Sequence, residues 1–138
     1  MSLATRSRRY VLAGLVSLGA ATLCLPAFAQ SRERVKFQRG NDNAYVEGSI
    51  SGDGYHDYIL GARKGQKMGV SLISGQAYFN ILPPGSTGEA IYNSSINGND
   101  ATNIVLPANG DYTIRVYQMG AAADGGAKTS YGLSMTIM

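Results

Sequence analysis

From residue 44 onward, apolar side chains recur at every second position. Ala44, Val46 and Ile50 alternate with Tyr45, Glu47 and Ser49, followed by the sets Tyr58, Leu60, Ala62 and Met68, Val70, Leu72. Tyr78 to Leu82 is an apolar and aromatic run broken by Asn80. Tyr112, Ile114 and Val116 alternate with Thr113, Arg115 and Tyr117, and Tyr131, Leu133, Met135 and Ile137 close the chain. A period of two sends successive side chains to opposite faces, so each run predicts a strand with one buried face. Val70, Leu72, Phe79, Ile81, Ile114, Val116, Leu133 and Met135 are the expected core.

Turn signals separate the runs: Gly52-Asp53-Gly54, Arg63-Lys64-Gly65-Gln66, Pro83-Pro84-Gly85, Asn97-Gly98-Asn99-Asp100 and Pro107-Ala108-Asn109-Gly110. Their glycines permit positive φ and their prolines preset φ. Beyond residue 30, no segment keeps a helical period over two turns. Ala121-Ala122-Ala123 has helix propensity, but Gly120, Gly125 and Gly126 bracket it closely. Residues 30–34 are polar and charged and read as a loose arm. About eight short strands at this spacing predict an all-β, antiparallel, jelly-roll-like β-sandwich. Pro83-Pro84-Gly85 and the segment 119–128 read as connections between its two sheets.

The N-terminus has a different pattern. Arg6, Arg8 and Arg9 precede an uncharged apolar stretch from Tyr10 to Leu25, and Ala27-Phe28-Ala29 follows Pro26. A basic start, an apolar centre and a small-x-small site read as a secretory signal peptide over residues 1–29, cut after Ala29. Ser7-Arg8-Arg9-Tyr10-Val11-Leu12 is similar to a twin-arginine signal, so the route is either general secretion or that one. Cys24 follows Leu23 where a lipoprotein signal wants a small residue, and leaves with the signal. Residues 30–138 are then one exported domain, periplasmic or secreted.

This division changes the charge arithmetic. The whole chain of 138 residues carries 12 Lys and Arg against 9 Asp and Glu. Three of the basic residues lie in the signal, so the domain is formally neutral. Neutrality predicts no electrostatic footprint for nucleic acid, and no membrane association once the signal is removed. The domain also lacks cysteine, so its core must suffice without a disulfide.

The inventory for catalysis is thin. His56 is the only histidine. Its neighbour Asp57 would point to the opposite face of a strand, which spoils a Ser-His-Asp arrangement. One His and no Cys do not make a zinc site. Asn41-Asp42-Asn43 and Asn97-Gly98-Asn99-Asp100 offer oxygen ligands, but neither continues as a calcium loop, and these are ordinary turn residues. We therefore expect no enzyme, no metal and no cofactor. Tyr45, Tyr55, Tyr92 and Tyr117 fall at or near outward positions, where a tyrosine can stack on a sugar or anchor a protein interface. Tyr112 reads as an inward corner residue with its hydroxyl satisfied nearby, and Arg115 as a cross-strand or sheet-surface residue.

With these residues identified, the chain resembles the bacterial periplasmic inhibitors of goose-type lysozyme. The likeness runs through Val35-Lys36-Phe37 with Gly40, Ile50-Ser51-Gly52, Tyr58 leading to Ala62-Arg63-Lys64-Gly65-Gln66-Lys67, Leu106-Pro107-Ala108-Asn109-Gly110-Asp111-Tyr112, Arg115-Val116, and Tyr131. The glycine-glutamine turn and the Leu-Pro corner are also similar to bacterial pre-peptidase C-terminal domains. The resemblance implies a non-enzymatic sandwich that blocks a lysozyme's substrate cleft with loops at one end. It implies a tyrosine directly after the Ile-x-Gly strand and two arginines, four residues apart, after the Arg-Val strand. Here the tyrosine position holds Asp53, with Tyr55 the nearest aromatic. The arginine positions hold Gly120 and Asp124, and Lys128 is the only cation of that loop. Asp53, Tyr55, Gly120, Asp124 and Lys128 are thus the candidate partner-binding residues. A goose-type lysozyme or another cell-wall hydrolase is the expected partner, and a glycan of the cell envelope the alternative.

Overall fold

The computed structural model describes residues 30–138 apart from Thr87. The signal segment read over 1–29 lies outside the described residues. The strands are β1 (Gln30–Arg34), β2 (Asn43–Ser51), β3 (Tyr55–Ala62), β4 (Lys67–Ser74), β5 (Ala77–Leu82), β6 (Tyr92–Asn93), β7 (Asp100–Val105), β8 (Gly110–Gln118) and β9 (Lys128–Ile137). Two single-turn helices join them, α1 (Ser94–Asn97) and α2 (Gly120–Asp124).

The strands form a five-stranded sheet ordered β1-β3-β8-β5-β6 and a four-stranded sheet ordered β2-β9-β4-β7. The inward residues of both sheets interdigitate, as the alternation predicts. Val70, Leu72, Phe79, Ile81, Ile114, Val116, Leu133 and Met135 are all buried in one cluster. Between the layers, the hydroxyls of Tyr58 on β3 and Tyr131 on β9 meet at 2.7 Å. The two phenols satisfy each other where water is absent. Gly48 lies beside them because a Cβ there would come within 2.6 Å of the Tyr131 hydroxyl.

Tyr112 is fully buried, and its hydroxyl donates to the Ala108 carbonyl at 2.7 Å and accepts from the Ala108 N–H at 3.0 Å. This is the corner read from the sequence: the side chain pins the β7–β8 connection to the strand that follows it.

Three expectations need correction. Residues 30–34 are not a loose arm. They form β1, which pairs in parallel with β3 from Gln30↔Tyr55 to Arg34↔Ile59. Every β1 side chain is exposed, so no apolar alternation marked the strand; the backbone ladder forms it, reinforced by Arg34 on Asp111 and Glu33 on His56. Every other strand pair described is antiparallel, in keeping with the expected sandwich. Pro83-Pro84-Gly85 does not switch sheets, because it leads from β5 to β6 within one sheet; the 119–128 segment does switch. Finally, Gly120–Asp124 turns once as a helix despite its glycines, closing with Gly125 N–H on the Ala121 carbonyl at 2.8 Å. The glycines limit it to one turn instead of preventing it.

The strand directions gather the connections into two ends. Residues 52–54, 75–76, 94–99 and 119–127 lie at one end, called the loop end here. Residues 35–42, 63–66, 83–91 and 106–109 lie at the other.

Candidate functional site

All five candidate residues belong to the loop end. Asp53 is exposed in the turn between β2 and β3, and Tyr55 opens β3. Gly120 and Asp124 bound α2, and Lys128 opens β9 opposite Ser51. The β2–β9 ladder ends there, so the β2–β3 turn and the β8–β9 loop emerge side by side. The Gly52 N–H donates to the Ala127 carbonyl at 2.8 Å.

One buried side chain locks the two loops together. Gln118 Nε2 donates to the Ala127 carbonyl at 2.8 Å and to the Gly52 carbonyl at 3.2 Å. Its Oε1 accepts from the Thr129 hydroxyl at 2.5 Å. Gln118 and Thr129 are both buried, and a buried amide with its polar atoms paired fixes a local geometry. Sequence reading passed over Gln118, yet a signal was present. Continuing Tyr112, Ile114, Val116 by one more step puts a polar residue on the inward face, and such a residue needs partners.

Gly120 has a φ of +59°, with open space around its missing side chain. This is the left-handed region, so a larger residue would fit the volume but strain the backbone. Asp124 and Lys128 are exposed.

Tyr55 is engaged sideways instead of standing free. The Arg115 guanidinium lies 4.1 Å from its ring centre. Arg115 also makes a two-pronged pair with Asp57, through Nε at 2.8 Å and the terminal nitrogen at 3.0 Å. The hydrogen bond to this buried carboxylate raises the pKa of Arg115. Tyr117 shares the same outer face and donates to Asn80 at 3.0 Å. His56 points the other way, 2.9 Å from Glu33 and stacked on Tyr58. The sequence therefore placed His56 and Asp57 on opposite faces correctly, and read Arg115 correctly as a cross-strand residue. It missed the unit that Tyr55, Asp57 and Arg115 form together.

Among the described residues, no three His, Cys, Asp or Glu side chains gather as metal ligands.

No family model matches the chain. A curated relative does: the "Inhibitor of g-type lysozyme" of Escherichia coli (strain K12) is 32% identical over 102 residues, which is 71% of this chain and 75% of the relative. The chain belongs to the family of g-type lysozyme inhibitors. The solved PliG of Aeromonas hydrophila, a periplasmic lysozyme inhibitor of g-type lysozyme, superposes with a TM-score of 0.75 at 34% identity. That match covers 81% of this chain and all of the Aeromonas protein. The pre-peptidase C-terminal domain of a Bacillus anthracis collagenase matches with a TM-score of 0.55 at 16% identity, covering 81% of this chain and 99% of that domain. That likeness is one of fold alone. The inhibitor family is non-enzymatic, consistent with a chain whose one histidine serves a structural contact.

Proposed function

We propose that the chain is exported, loses residues 1–29, and inhibits a g-type lysozyme by placing its loop end in the enzyme's substrate cleft. Family membership supports the inhibitor reading. The observation that carries the choice of end is the Gln118 brace, which presents the Gly52–Gly54 turn and the 119–128 loop as one preorganised edge. Preorganisation reduces the ordering cost of binding. The edge is small and neutral to acidic: Asp53, Asp100 and Asp124 against Lys128. It lacks the forked guanidinium donors that the resemblance assigns to positions 120 and 124, so its affinity for an acid-lined cleft is expected to be modest.

Cleavage after Ala29 is read from the Ala27-Phe28-Ala29 site behind the apolar stretch. Gln30 lies beside Tyr55 at the loop end. An uncut anchor would hold the loop end against the membrane and hinder its access to a lysozyme. The test has two parts. Intact mass of the exported protein should correspond to residues 30–138. Titration of a g-type lysozyme should then give inhibition that a chicken-type lysozyme does not show. Binding to isolated peptidoglycan or polysaccharide, without binding to lysozyme, would replace this reading with the glycan one, for which Tyr55, Tyr78 and Tyr117 on the outer face of the five-stranded sheet would be the platform.

A further inference from the structure

Formal neutrality conceals a polar distribution of charge. Lys36 and Arg39 lie in the β1–β2 connection, Arg63 and Lys64 in the β3–β4 turn, and Lys67 at the start of β4. All five are exposed at the end opposite the loops, and none is in an ion pair among the described residues. The side-chain carboxylates at that end are Asp42, Glu89 and Asp111, of which Asp111 is already taken by Arg34, and the terminal carboxylate of Met138 lies there too, so the cations still outnumber the anions. The loop end carries the reverse sign. The domain is therefore a dipole along its strands, although its net charge is zero.

A second feature coincides with the cations. Lys67 is flanked by Val105 on β7 and, through reciprocal backbone bonds of 2.7 and 2.9 Å, by Met138. Val105 is 61% exposed and Met138 66%. Alternation puts Val105, Lys67 and Met138 in one row on the outer face of the four-stranded sheet. Tyr45, exposed on that face, lies across β9 with its hydroxyl over Gly132 and is not part of this row. A cation between two exposed apolar side chains, beside further cations, is the composition that suits a charged lipid interface. Nucleic acid would call for cations along a groove with stacking aromatics, and this end offers a rim and aliphatic tips.

We propose that the exported domain docks its basic end on an anionic phospholipid surface, which leaves the loop end pointing away from the membrane. This geometry does not depend on the identity of the loop end's partner. The attraction of each cation to such a surface corresponds to about fivefold in partitioning.

The test uses exported protein whose mass corresponds to residues 30–138, sedimented with vesicles of phosphatidylglycerol mixed with phosphatidylcholine, and with phosphatidylcholine alone. Binding should require phosphatidylglycerol and weaken as salt rises. The triple variant Lys36→Gln, Lys64→Gln, Lys67→Gln should lose roughly a hundredfold in partitioning. Val105→Ser with Met138→Ser should lose several-fold at unchanged charge. Lys128→Gln, at the far end, should bind as the parent does. Circular dichroism verifies that each variant is folded. Absence of binding to phosphatidylglycerol vesicles at low salt would overturn the proposal. So would an equal loss in the Lys128 variant, or tighter binding to DNA or heparin with no effect of the Val105 and Met138 changes. Lysozyme inhibition by the triple variant reads the loop end separately, so each proposal can fail alone.

Discussion

The two ends of the sandwich are closed by different means. At the loop end, Gln118 reaches from the end of β8 to backbone carbonyls of two connections, so a buried amide ties together segments distant in sequence. At the basic end, the buried Tyr112 reaches only to Ala108, four residues back, and the β3–β4 turn is tied to the β7–β8 connection by backbone bonds at Leu106 and by an exposed bond from the Lys64 N–H to Asn109 Oδ1 at 2.8 Å. The charges follow the same division. The braced edge is almost free of cations, and the other end gathers five exposed ones outside any ion pair, besides Arg34 on Asp111. The comparison shows that neutrality of the whole says little about either end. A surface potential is set by where charges lie within a Debye length of one another, about 10 Å at moderate salt, and not by their sum.

The strongest perturbation should erase the contrast. Ile114 is fully buried in the shared core. Ile114→Ala should cost about 2–5 kcal/mol by denaturant unfolding and weaken both ends together. A loss below about 0.5 kcal/mol would mean that the site repacks around the missing atoms.

A more selective change should separate the ends. Gln118→Ala leaves the Thr129 hydroxyl and the Gly52 carbonyl without their buried partner, at a cost of about 1–3 kcal/mol. Hydrogen exchange should rise at residues 52–54 and 119–128 while the Tyr112 corner stays protected. Uniform loss of protection would show that the brace serves the whole fold and not one edge.

The inhibitory proposal can be sharpened by adding what the edge lacks. Restoring arginine at both positions, Gly120→Arg with Asp124→Arg, is the direct design, but the φ of +59° at Gly120 offsets part of its gain. Asp124→Arg alone sits on an exposed helical turn and avoids that strain. An arginine reaching a desolvated partner there is worth about 2 kcal/mol, roughly thirtyfold in affinity for a g-type lysozyme. No gain in inhibition titrations would argue that this loop does not face the enzyme.

The smallest effect concerns pH. Burial and the Tyr131 hydroxyl raise the Tyr58 pKa well above the ordinary tyrosine value, and burial raises that of Tyr131. A raised pKa in the folded state contributes stability that is present below about pH 10 and is lost as pH rises beyond it. Stability should therefore fall on the alkaline side. Tyr58→Phe should flatten that fall at some cost in stability near neutrality, with the loss of the 2.7 Å bond. An unchanged alkaline profile would assign the fall to other groups.

Much of this molecule can be read residue by residue. Ile114 and Leu133 declare an inward face by their spacing alone, and Tyr112 declares a corner because its motif is local. β1 could not be found in this way: Gln30–Arg34 has no buried face, and its pairing with β3 depends on an edge formed by residues some 25 positions later. The candidate residues Asp53, Tyr55, Gly120, Asp124 and Lys128 were legible as positions through a family resemblance. That Tyr55 is stacked under Arg115, and that Gly120 lies in the left-handed region, were not.

The all-β class, the core faces, the turn positions and the family are legible in the order of the residues, because each is written in short-range periodicity or ordered motifs. Which connections meet, how Gln118 joins two of them, and how balanced charges separate toward opposite ends come from the folded arrangement. Those properties depend on strand order and direction. Both follow from which buried faces pack together, and residues far apart in the chain settle that jointly.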